Sequence, residues 1–463
     1  MPEMRRAWGE RDASTIIRLV RWNTDLSLTA LVKLTGLAQS TLSDIISGKR
    51  ELKNLDKINA ALEGLGANAS HHALAGPSTS SSTPSSGPQL AAIASPDELF
   101  TESVSDTIRN IGRLWKADLG NRVPEDTLRI PPDQLSTPLL RWLVAPSVTL
   151  ASERPSSKPQ VTEGDVHAIG QACDLFEALD HEFGGGHART TAVQYLNSEI
   201  GPLLRGGFDP ALGKSLFSAT ARFAAKVGAM AYDAGLHHMA RRYFLQSLNL
   251  AHLGSDRLLG AKALGLLSHQ ANFLGDFRSS VDLARTAKIG AAHHTTPAIR
   301  AMLSAMEARG LASLGEEKAC TRVLDDMEAA FNDIDPAMEP AWMSYFDGSE
   351  MADEFAHCFH DLGYGKRAIT HAQQSLDLAP AGFRRSRTFA GLIQAGAHLK
   401  QPDIDLDAAC TLARTAITEA GHLRSARVRT YIARLRVELK PYSEDRTVRE
   451  FEDFLVDAPL LRG

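Results

Sequence analysis

The sequence predicts an all-α protein in which a small helical domain is linked to a larger α-helical repeat domain. Helical periodicity dominates from about residue 97 onward, with apolar residues three and four positions apart, as in ALGKSLFSATARFAAKVGAMAYDAG. The segment 76–87, GPSTSSSTPSSG, contains only Ser, Thr, Pro and Gly and separates this region from a short helical stretch near the N-terminus. Glycines also recur at regular intervals between the later helices, which is typical of a repeat architecture.

These shifts in composition divide the chain into four parts. We expect a first domain at 1–66 and a disordered linker at 67–95, because the linker has little apolar surface to offset the entropy of ordering. A helical and irregular connecting region is predicted at 96–165, where prolines interrupt any long helix. The repeat domain then occupies 166–463.

The overall composition excludes several classes of protein. Hydrophobic residues make up 43% of the 463-residue chain and charged residues 23%, close to the average for globular proteins. No stretch is long and apolar enough to span a membrane, and Glu10, Arg11 and Asp12 stand where a signal peptide needs its apolar segment. We therefore expect a cytoplasmic protein. The four cysteines lie far apart with no CxxC pair, so we expect small core residues and no zinc site.

Four glycines set the period of the larger region. Gly235, Gly275, Gly315 and Gly363 each follow an apolar helix. Each is followed five positions later by a small residue, namely Ala240, Ser280, Cys320 and Ala368. This pattern predicts helix hairpins in which glycine reverses the chain and small residues let the paired helices approach, although an ordinary helical bundle is the alternative. A stack of such hairpins has a concave face of the kind that binds peptides, protein segments or small ligands.

The N-terminal domain contains a pair of short helices in the segment 26–50, LSLTALVKLTGLAQSTLSDIISGKR. Gly36 is predicted at the turn between them. Apolar side chains fall at the spacing that packs the second helix against the first, at Leu31, Val32, Leu37, Leu42 and Ile45. Short polar side chains face the other way, at Gln39, Ser40, Thr41, Ser43 and Asp44.

An exposed helix face of short polar residues suits the major groove of duplex DNA. Gln pairs with adenine, Ser and Thr bond to several base edges, and Lys49 and Arg50 directly after the helix supply cations for phosphates. A small helical domain with a polar surface helix is the alternative interpretation.

The segment 26–50 resembles the helix-turn-helix of the xenobiotic-response-element, or Cro/repressor-like, family. The matching residues are Leu26, Ser27, Leu31, Gly36, Ser40, Thr41, Ser43, Ile45, Gly48, Lys49 and Arg50. The resemblance implies contacts with the bases of double-stranded DNA from Gln39, Ser40, Thr41 and Asp44. It implies contacts near phosphates from Thr29, Ser43, Lys49 and Arg50. It also implies a homodimer on a palindromic operator, while Ala38 replaces the capping Ser or Thr of the family.

The larger region resembles actinobacterial regulators that join such a motif to a tetratricopeptide-like C-terminal region and influence differentiation or secondary metabolism. LFEALDHEFGGGHARTTAVQYL, AYDAGLHHMARRYFLQSLNLAH and EFAHCFHDLG carry this resemblance. It implies a nucleoid-associated transcriptional regulator that is not an enzyme and needs no cofactor. The repeat domain would dimerise or sense a peptide, protein or small-molecule effector. The alternative is a protein-interaction scaffold in which DNA binding is weak or vestigial.

The net charge of −5 is low for a nucleic-acid binder, but it is unevenly distributed. Residues 1–66 contain ten Lys and Arg against eight Asp and Glu, whereas the rest of the chain contains 40 against 47. Because the first domain is only mildly basic, we expect weak non-specific binding and an affinity that depends on base contacts and dimerisation.

The segment 180–189, DHEFGGGHAR, is the most enzyme-like part of the sequence. Candidates for a ligand- or partner-contacting loop are His181, Gly184, Gly185, Gly186, His187 and Arg189. The two histidines lack the i, i+4 spacing of a helical metal site, and the glycines do not follow a strand as a phosphate loop requires, so we expect no metal or catalytic residue. The simpler interpretation is a helix ended by glycine. Arg384 and Arg385 could line an anion-binding groove, although a solvated helix face is the simpler interpretation.

Overall fold

The computed structural model describes residues 12–23, 28–35, 37–52, 57–58, 100–101, 103–120, 124–145, 148, 150 and 160–461. The chain divides into two compact units, Met1–Pro88 and Gln89–Gly463. This division falls inside the predicted linker 67–95, which itself lies outside the described residues. The described part of both units is helical and contains no strand, so the all-α fold class is confirmed.

The described part of the smaller unit contains the helices α1 (Ala13–Asn23), α2 (Leu28–Thr35) and α3 (Gln39–Ile46). Helix α3 packs against both α1 and α2. Their shared core consists of Ile17, Leu31, Leu37, Leu42 and Ile45, with Val32 packed against it. The inward positions predicted from the spacing of apolar residues are therefore confirmed.

The larger unit is a succession of helices joined mostly by short turns. In chain order they are α4 (Val104–Leu119), α5 (Pro132–Val144), α6 (Glu163–Phe183), α7 (Gly185–Tyr195), α8 (Gly201–Leu204), α9 (Pro210–Asp233), α10 (His237–Leu253), α11 (Arg257–Phe273), α12 (Phe277–Ala291), α13 (Pro297–Ser313), α14 (Glu317–Asn332), α15 (Gly348–Asp361), α16 (Gly365–Leu378), α17 (Arg384–His398), α18 (Leu406–Ala420), α19 (Ala426–Leu439) and α20 (Arg446–Asp457). Short 3-10 helices lie at Glu125–Leu128, Ala341–Met343, Lys440–Tyr442 and Pro459–Leu461, and a π-helical turn lies at Leu196–Ile200.

Side-chain caps fix where many of these helices begin. A Ser, Thr or Asp oxygen accepts a hydrogen bond from a backbone amide of the first turn, which offsets the missing intrahelical acceptor. The capping residues are Ser103, Thr162, Asp209, Asp256, Asp276, Asp347, Asp405, Ser425 and Asp445. At the start of α6, Thr162 and Asp165 form a reciprocal capping box.

The predicted glycine turns separate helices that pack as hairpins. Gly235, Gly275, Gly315 and Gly363 all have φ between 72° and 86°, the left-handed region that favours glycine. They join α9 to α10, α11 to α12, α13 to α14 and α15 to α16. The small residues five positions later are all fully buried, at Ala240, Ser280, Cys320 and Ala368. The prediction of chain reversal with close helix packing is confirmed at these turns.

The first helices of successive hairpins form an inner layer. Helices α9, α11, α13, α15, α17 and α19 each pack against the next in this series. The series closes on itself, because α6 contacts both α9 and α17, and α19 contacts α9. At the closure, the Arg424 amide donates to the Phe183 carbonyl and the Gly186 amide donates to the Arg424 carbonyl, both at 2.9 Å. The inner layer lines a cavity of the larger unit.

The region 96–165 is more than a connection, because its helices pack into the core of the larger unit. Trp115 of α4 and Trp142 of α5 are both almost completely buried. A Cβ atom at Gly260 or Gly290 would lie within 2.5 Å of the Trp142 ring, so this ring occupies space that only glycine leaves open. Pro132 begins α5 at a position where proline is favourable, and the helix also continues through Pro138, so the prolines do not prevent a helix here.

Candidate functional site

Helix α3 of the smaller unit presents the polar face predicted for DNA contact. Leu42 and Ile45 are fully buried on its inner side. On the opposite side Gln39, Ser40 and Ser43 are exposed. Thr41 and Asp44 are half-buried between the two faces. The Ala38 methyl accepts no hydrogen bond, so the first amides of α3 lack a side-chain cap.

The chain turns sharply after α3 and exposes two cations. Gly48 has a φ of 73°, and the backbone amides of Lys49 and Arg50 donate to the Asp44 carbonyl at 2.9 and 3.2 Å. The Lys49 and Arg50 side chains are exposed beside the C-terminus of α3. Thr29 lies in α2, but its side chain is outside the described part of the structure, as is the predicted turn residue Gly36.

The larger unit contains a partly open cavity of about 190 Å³, lined by α6, the inner layer and Tyr345. One buried water takes roughly 10–15 Å³ of such a cavity, so a small organic molecule fits. Basic side chains in the lining are Arg222, Lys226, Lys262, Arg309, Arg385 and Arg427. Acidic side chains in the lining are Glu177, Asp180, Glu350, Asp353 and Glu354. A cavity wall this rich in charge is unusual for a purely structural core.

The cavity lining follows the register of the glycine turns. The residues 13, 9 and 6 positions before each turn glycine all line it. They are Arg222, Lys226 and Ala229 in the first hairpin, Lys262, Leu266 and His269 in the second, Met302, Met306 and Arg309 in the third, and Glu350, Glu354 and His357 in the fourth. Sequence reasoning missed these residues, although the same glycine period would have aligned them on one face.

Ion pairs neutralise the part of the lining formed by α6 and α9. The Lys226 ammonium lies 2.9 Å from a Glu177 carboxylate oxygen and 3.5 Å from an Asp180 oxygen. Arg222 also pairs with Glu177, at 3.4 Å. Burial alone would raise the pKa of Glu177, but Lys226 and Lys262 hold that pKa at about 2. These carboxylates are therefore ionised and balanced by neighbouring cations.

Lys262 of α11 is within electrostatic reach of Glu177 but forms no direct ion pair with it. Its ammonium lies 3.4 Å from the Trp342 carbonyl and over the rings of Trp342 and Tyr345, 4.6 and 4.7 Å from their centroids. It pairs with no carboxylate among the described residues. Burial lowers the pKa of Lys262 to about 8, so the side chain is largely charged near neutral pH.

Helix α15 brings three carboxylates to the opposite part of the lining. Glu354 is only 4% exposed, and its Oε2 lies 3.6 Å from Arg309 without a hydrogen bond from the described residues. Asp353 Oδ2 lies 3.5 Å from His357 Nε2, while its Oδ1 is buried without a donor in the described structure. Burial and the neighbouring carboxylates raise the pKa of Glu350 to about 8 and that of Asp353 to about 7.

The segment 180–189 lies where the inner layer closes. His181 lines the cavity and stacks on Phe383 with ring centroids 4.3 Å apart. Burial, together with the nearby cations Lys226 and Arg385, lowers the pKa of His181 to about 4, so the ring is neutral. Gly184 ends α6 with a φ of 82°, as the simpler interpretation predicted.

The remaining candidates of this segment make structural contacts. The Gly185 amide donates to the Asp233 carboxylate at 2.8 Å, and the Gly186 amide donates to the Arg424 carbonyl. Arg189 pairs with Asp118 of α4 at 2.7 Å. The exposed His187 lies against Phe183. The structure thus brings His181, but not His187 or Arg189, to the cavity wall.

Arg384 and Arg385 differ in their surroundings. Arg384 is exposed, as expected for a solvated face. Arg385 instead points into the cavity wall, where it pairs with Asp180 and is only 13% exposed. The expectation of a solvated face is wrong for Arg385, because adjacent residues of a helix point in different directions.

In the described part of the chain, no three His, Cys, Asp or Glu side chains are arranged to hold a metal ion. None of the described helices has the length and apolar character needed to cross a membrane. The four cysteines are free and buried, so the prediction that they are core residues is confirmed. Comparison with protein-family models and with curated proteins gave no significant match to this chain.

Proposed function

We propose that the chain is a sequence-specific DNA-binding transcriptional regulator and not an enzyme. The observation that carries this proposal is the arrangement of α3, whose apolar side is buried while Gln39, Ser40 and Ser43 are exposed and followed at once by exposed Lys49 and Arg50. In this proposal α3 is the recognition helix of a Cro/repressor-like helix-turn-helix.

The chemistry of this face fits duplex DNA. The side-chain NH2 group of Gln39 can donate to N7 of an adenine while its Oε1 accepts from the N6 amino group of the same base. The hydroxyls of Ser40 and Thr41 can form hydrogen bonds with several base edges. The uncapped amides at the start of α3 and the cations after its end suit phosphates. Because the unit is only mildly basic, we propose a homodimer on two half-sites roughly 34 Å apart.

The larger unit is proposed to act as a tetratricopeptide-like sensor for an effector, since its inner layer lines a cavity with buried charged side chains. A scaffold that binds partners without regulating DNA remains the alternative function. Deletion of residues 1–66 separates the two, because a scaffold would keep its partners and its phenotype after the deletion, whereas a regulator would lose its effect on transcription.

The DNA-binding proposal is tested by capturing genomic fragments with the purified full chain and measuring affinity for the enriched site. We expect one palindromic motif. Gln39→Ala should weaken binding by about 1–3 kcal/mol and relax preference at one base, while Arg50→Ala should weaken all sequences alike and reduce the salt dependence by about one ion. Gln171→Ala and Arg384→Ala, at exposed positions of the larger unit, are matched controls. Unchanged affinity in both α3-region variants would refute the assignment.

A further inference from the structure

The cavity lining changes in charge along the series of hairpins. The Lys and Arg side chains at the positions 13 and 9 before the turn glycines belong to the first two hairpins, at Arg222, Lys226 and Lys262, and Leu266 is the apolar exception there. At the positions 13 and 9 before the glycine, the third hairpin is apolar, with Met302 and Met306, and the fourth is acidic, with Glu350 and Glu354. The position six before it carries Arg309 in the third hairpin and His357 in the fourth. Since neighbouring inner helices pack side by side, a basic and an acidic region lie on either side of an apolar strip.

The basic region has one ammonium available to a ligand. Arg222 and Lys226 pair with Glu177, and Arg385 pairs with Asp180. Lys262 contacts only a carbonyl oxygen and two aromatic rings among the described residues. Glu177 acts on Lys262 only from beyond ion-pair distance and is itself paired with Lys226 and Arg222, so an anionic group in direct contact with this buried ammonium would be favoured.

The acidic region has more carboxylates than close cations. Arg309 lies 3.6 Å from Glu354, and Arg427 packs between the rings of Tyr232 and Phe389, 4.5 and 4.7 Å from their centroids. These two cations face three carboxylates of α15. The buried Glu354 Oε2 accepts no hydrogen bond within the described structure, so it can accept one from a donor group of a ligand.

The chemistry of the missing cation follows from the geometry. The three carboxylates are not arranged to hold a metal ion. An ammonium or guanidinium group, by contrast, supplies several hydrogen-bond donors that can reach separate carboxylate oxygens. The adjacent aromatic ring of Tyr345 and the methionines of α13 offer apolar contact to the carbon chain that carries such a group.

We propose that this cavity binds a small zwitterion, with its carboxylate or other anionic group on Lys262, its ammonium or guanidinium group on Glu350 and Glu354, and its carbon chain across Met302 and Met306. The lining as a whole carries six basic and five acidic side chains, which favours a ligand bearing both charges over a purely cationic or anionic one. This ligand would be the effector that the proposed function leaves unidentified. Its binding does not depend on the proposed function, but its role as a regulator does.

Thermal unfolding and calorimetry of the full chain test this site without any DNA, so failure here is distinct from failure of DNA binding. The probes are the standard amino acids and the straight-chain ω-amino acids, each compared with the alkylamine and the alkanoate of the same length. We expect at least one zwitterion to raise Tm and to bind at least about tenfold more tightly than either matched single-charge compound. No Tm increase with any zwitterion, or equal binding of a matched single-charge compound, would overturn the proposal.

Two variants separate binding from folding. In Lys262→Met the zwitterion should no longer bind more tightly than the matched alkylamine, because the partner of its anionic group is gone. In Glu354→Gln it should no longer bind more tightly than the matched alkanoate, because a partner of its cationic group is gone. Glu350→Gln serves the second purpose if Glu354→Gln does not fold. Lys318→Met and Glu182→Gln, at exposed positions, should keep both differences in affinity. If the variants weaken all probes alike and leave the charge preferences intact, these residues do not contact the ligand and the proposal fails.

Discussion

The Arg385 guanidinium donates a hydrogen bond of 2.6 Å to the Asp180 carboxylate, joining α17 to α6 across 205 positions of sequence. Asp180 is completely buried and also lies 3.5 Å from Lys226. Removal of one partner from a buried ion pair leaves the other charge uncompensated, which is far more costly than the pair itself is favourable. This contact therefore links α17 to α6 where the series of inner helices closes.

Arg385→Met should lower the free energy of unfolding of the larger unit by about 3–5 kcal/mol, because Asp180 keeps only its more distant contact with Lys226. Urea titration followed by circular dichroism measures the change. Arg384→Met, at the exposed neighbouring position, should alter stability by no more than about 0.5 kcal/mol. Similar values for the two variants would show that the ion pair does not hold the closure.

Gly185→Ala should destabilise the larger unit by about 2 kcal/mol or more, because the new Cβ would lie 2.5 Å from the Met230 carbonyl oxygen. Gly170→Ala in α6 is the matched control. Nothing lies within 4 Å of its Cβ, and alanine is the better helix former, so this change should stabilise by about 0.5–1 kcal/mol. Thermal unfolding of both variants measures the contrast, and a harmless Gly185→Ala would contradict the close packing at the closure.

Stability should depend on pH through Glu350, whose pKa is raised to about 8 by burial and by Glu354, Asp353 and Asp347, with Arg309 opposing. The unfolded carboxyl releases its proton near its ordinary pKa, whereas the folded one keeps it until about pH 8. The stability contributed by the raised pKa is thus present at low pH and is lost as the pH rises through this range.

Glu350→Gln removes this dependence. The difference in unfolding free energy between the variant and the unaltered chain should shift in favour of the variant by at least about 1 kcal/mol as the pH rises from about 5 to about 8. Urea titrations of both proteins at the two pH values give the difference, and Glu182→Gln at an exposed position is the control. A constant difference across this pH range would show that Glu350 titrates normally.

Ala38→Ser should stabilise the start of α3 by about 0.5–1 kcal/mol, because a serine oxygen can accept from an amide that now lacks a side-chain partner. Hydrogen exchange of the α3 backbone in the full chain should slow. Ala38→Val provides a side chain that cannot cap and should not slow exchange. If both substitutions slow exchange equally, packing and not capping is responsible.

Much of the fold could be predicted because its determinants are local. A glycine at a left-handed turn and a small residue five positions later describe each hairpin without reference to the rest of the chain, as Gly275 and Ser280 do. The buried side of α3 also follows from the spacing of Leu42 and Ile45 alone. These features need only the period of a helix and the size of side chains.

The cavity and the closure could not be predicted in the same way. A charged residue in a helix, such as Lys262 or Arg385, is normally interpreted as solvated, and only the meeting of distant helices buries it. Pairs such as Asp180 and Arg385 lie too far apart in sequence for any local pattern to connect them. The packing of Trp142 against Gly260 and Gly290 depends equally on contacts between distant elements.

The closed series of inner helices affects how the larger unit loses its structure. In an open array of hairpins each repeat touches only its neighbours, so the terminal repeats fray independently and unfolding spreads inward. Here α19 contacts α9 and α17 contacts α6, so the last helices of the series pack against its beginning as well as against their neighbours. We therefore expect a single cooperative transition for the whole larger unit, in which a lesion in any inner helix weakens all of them together.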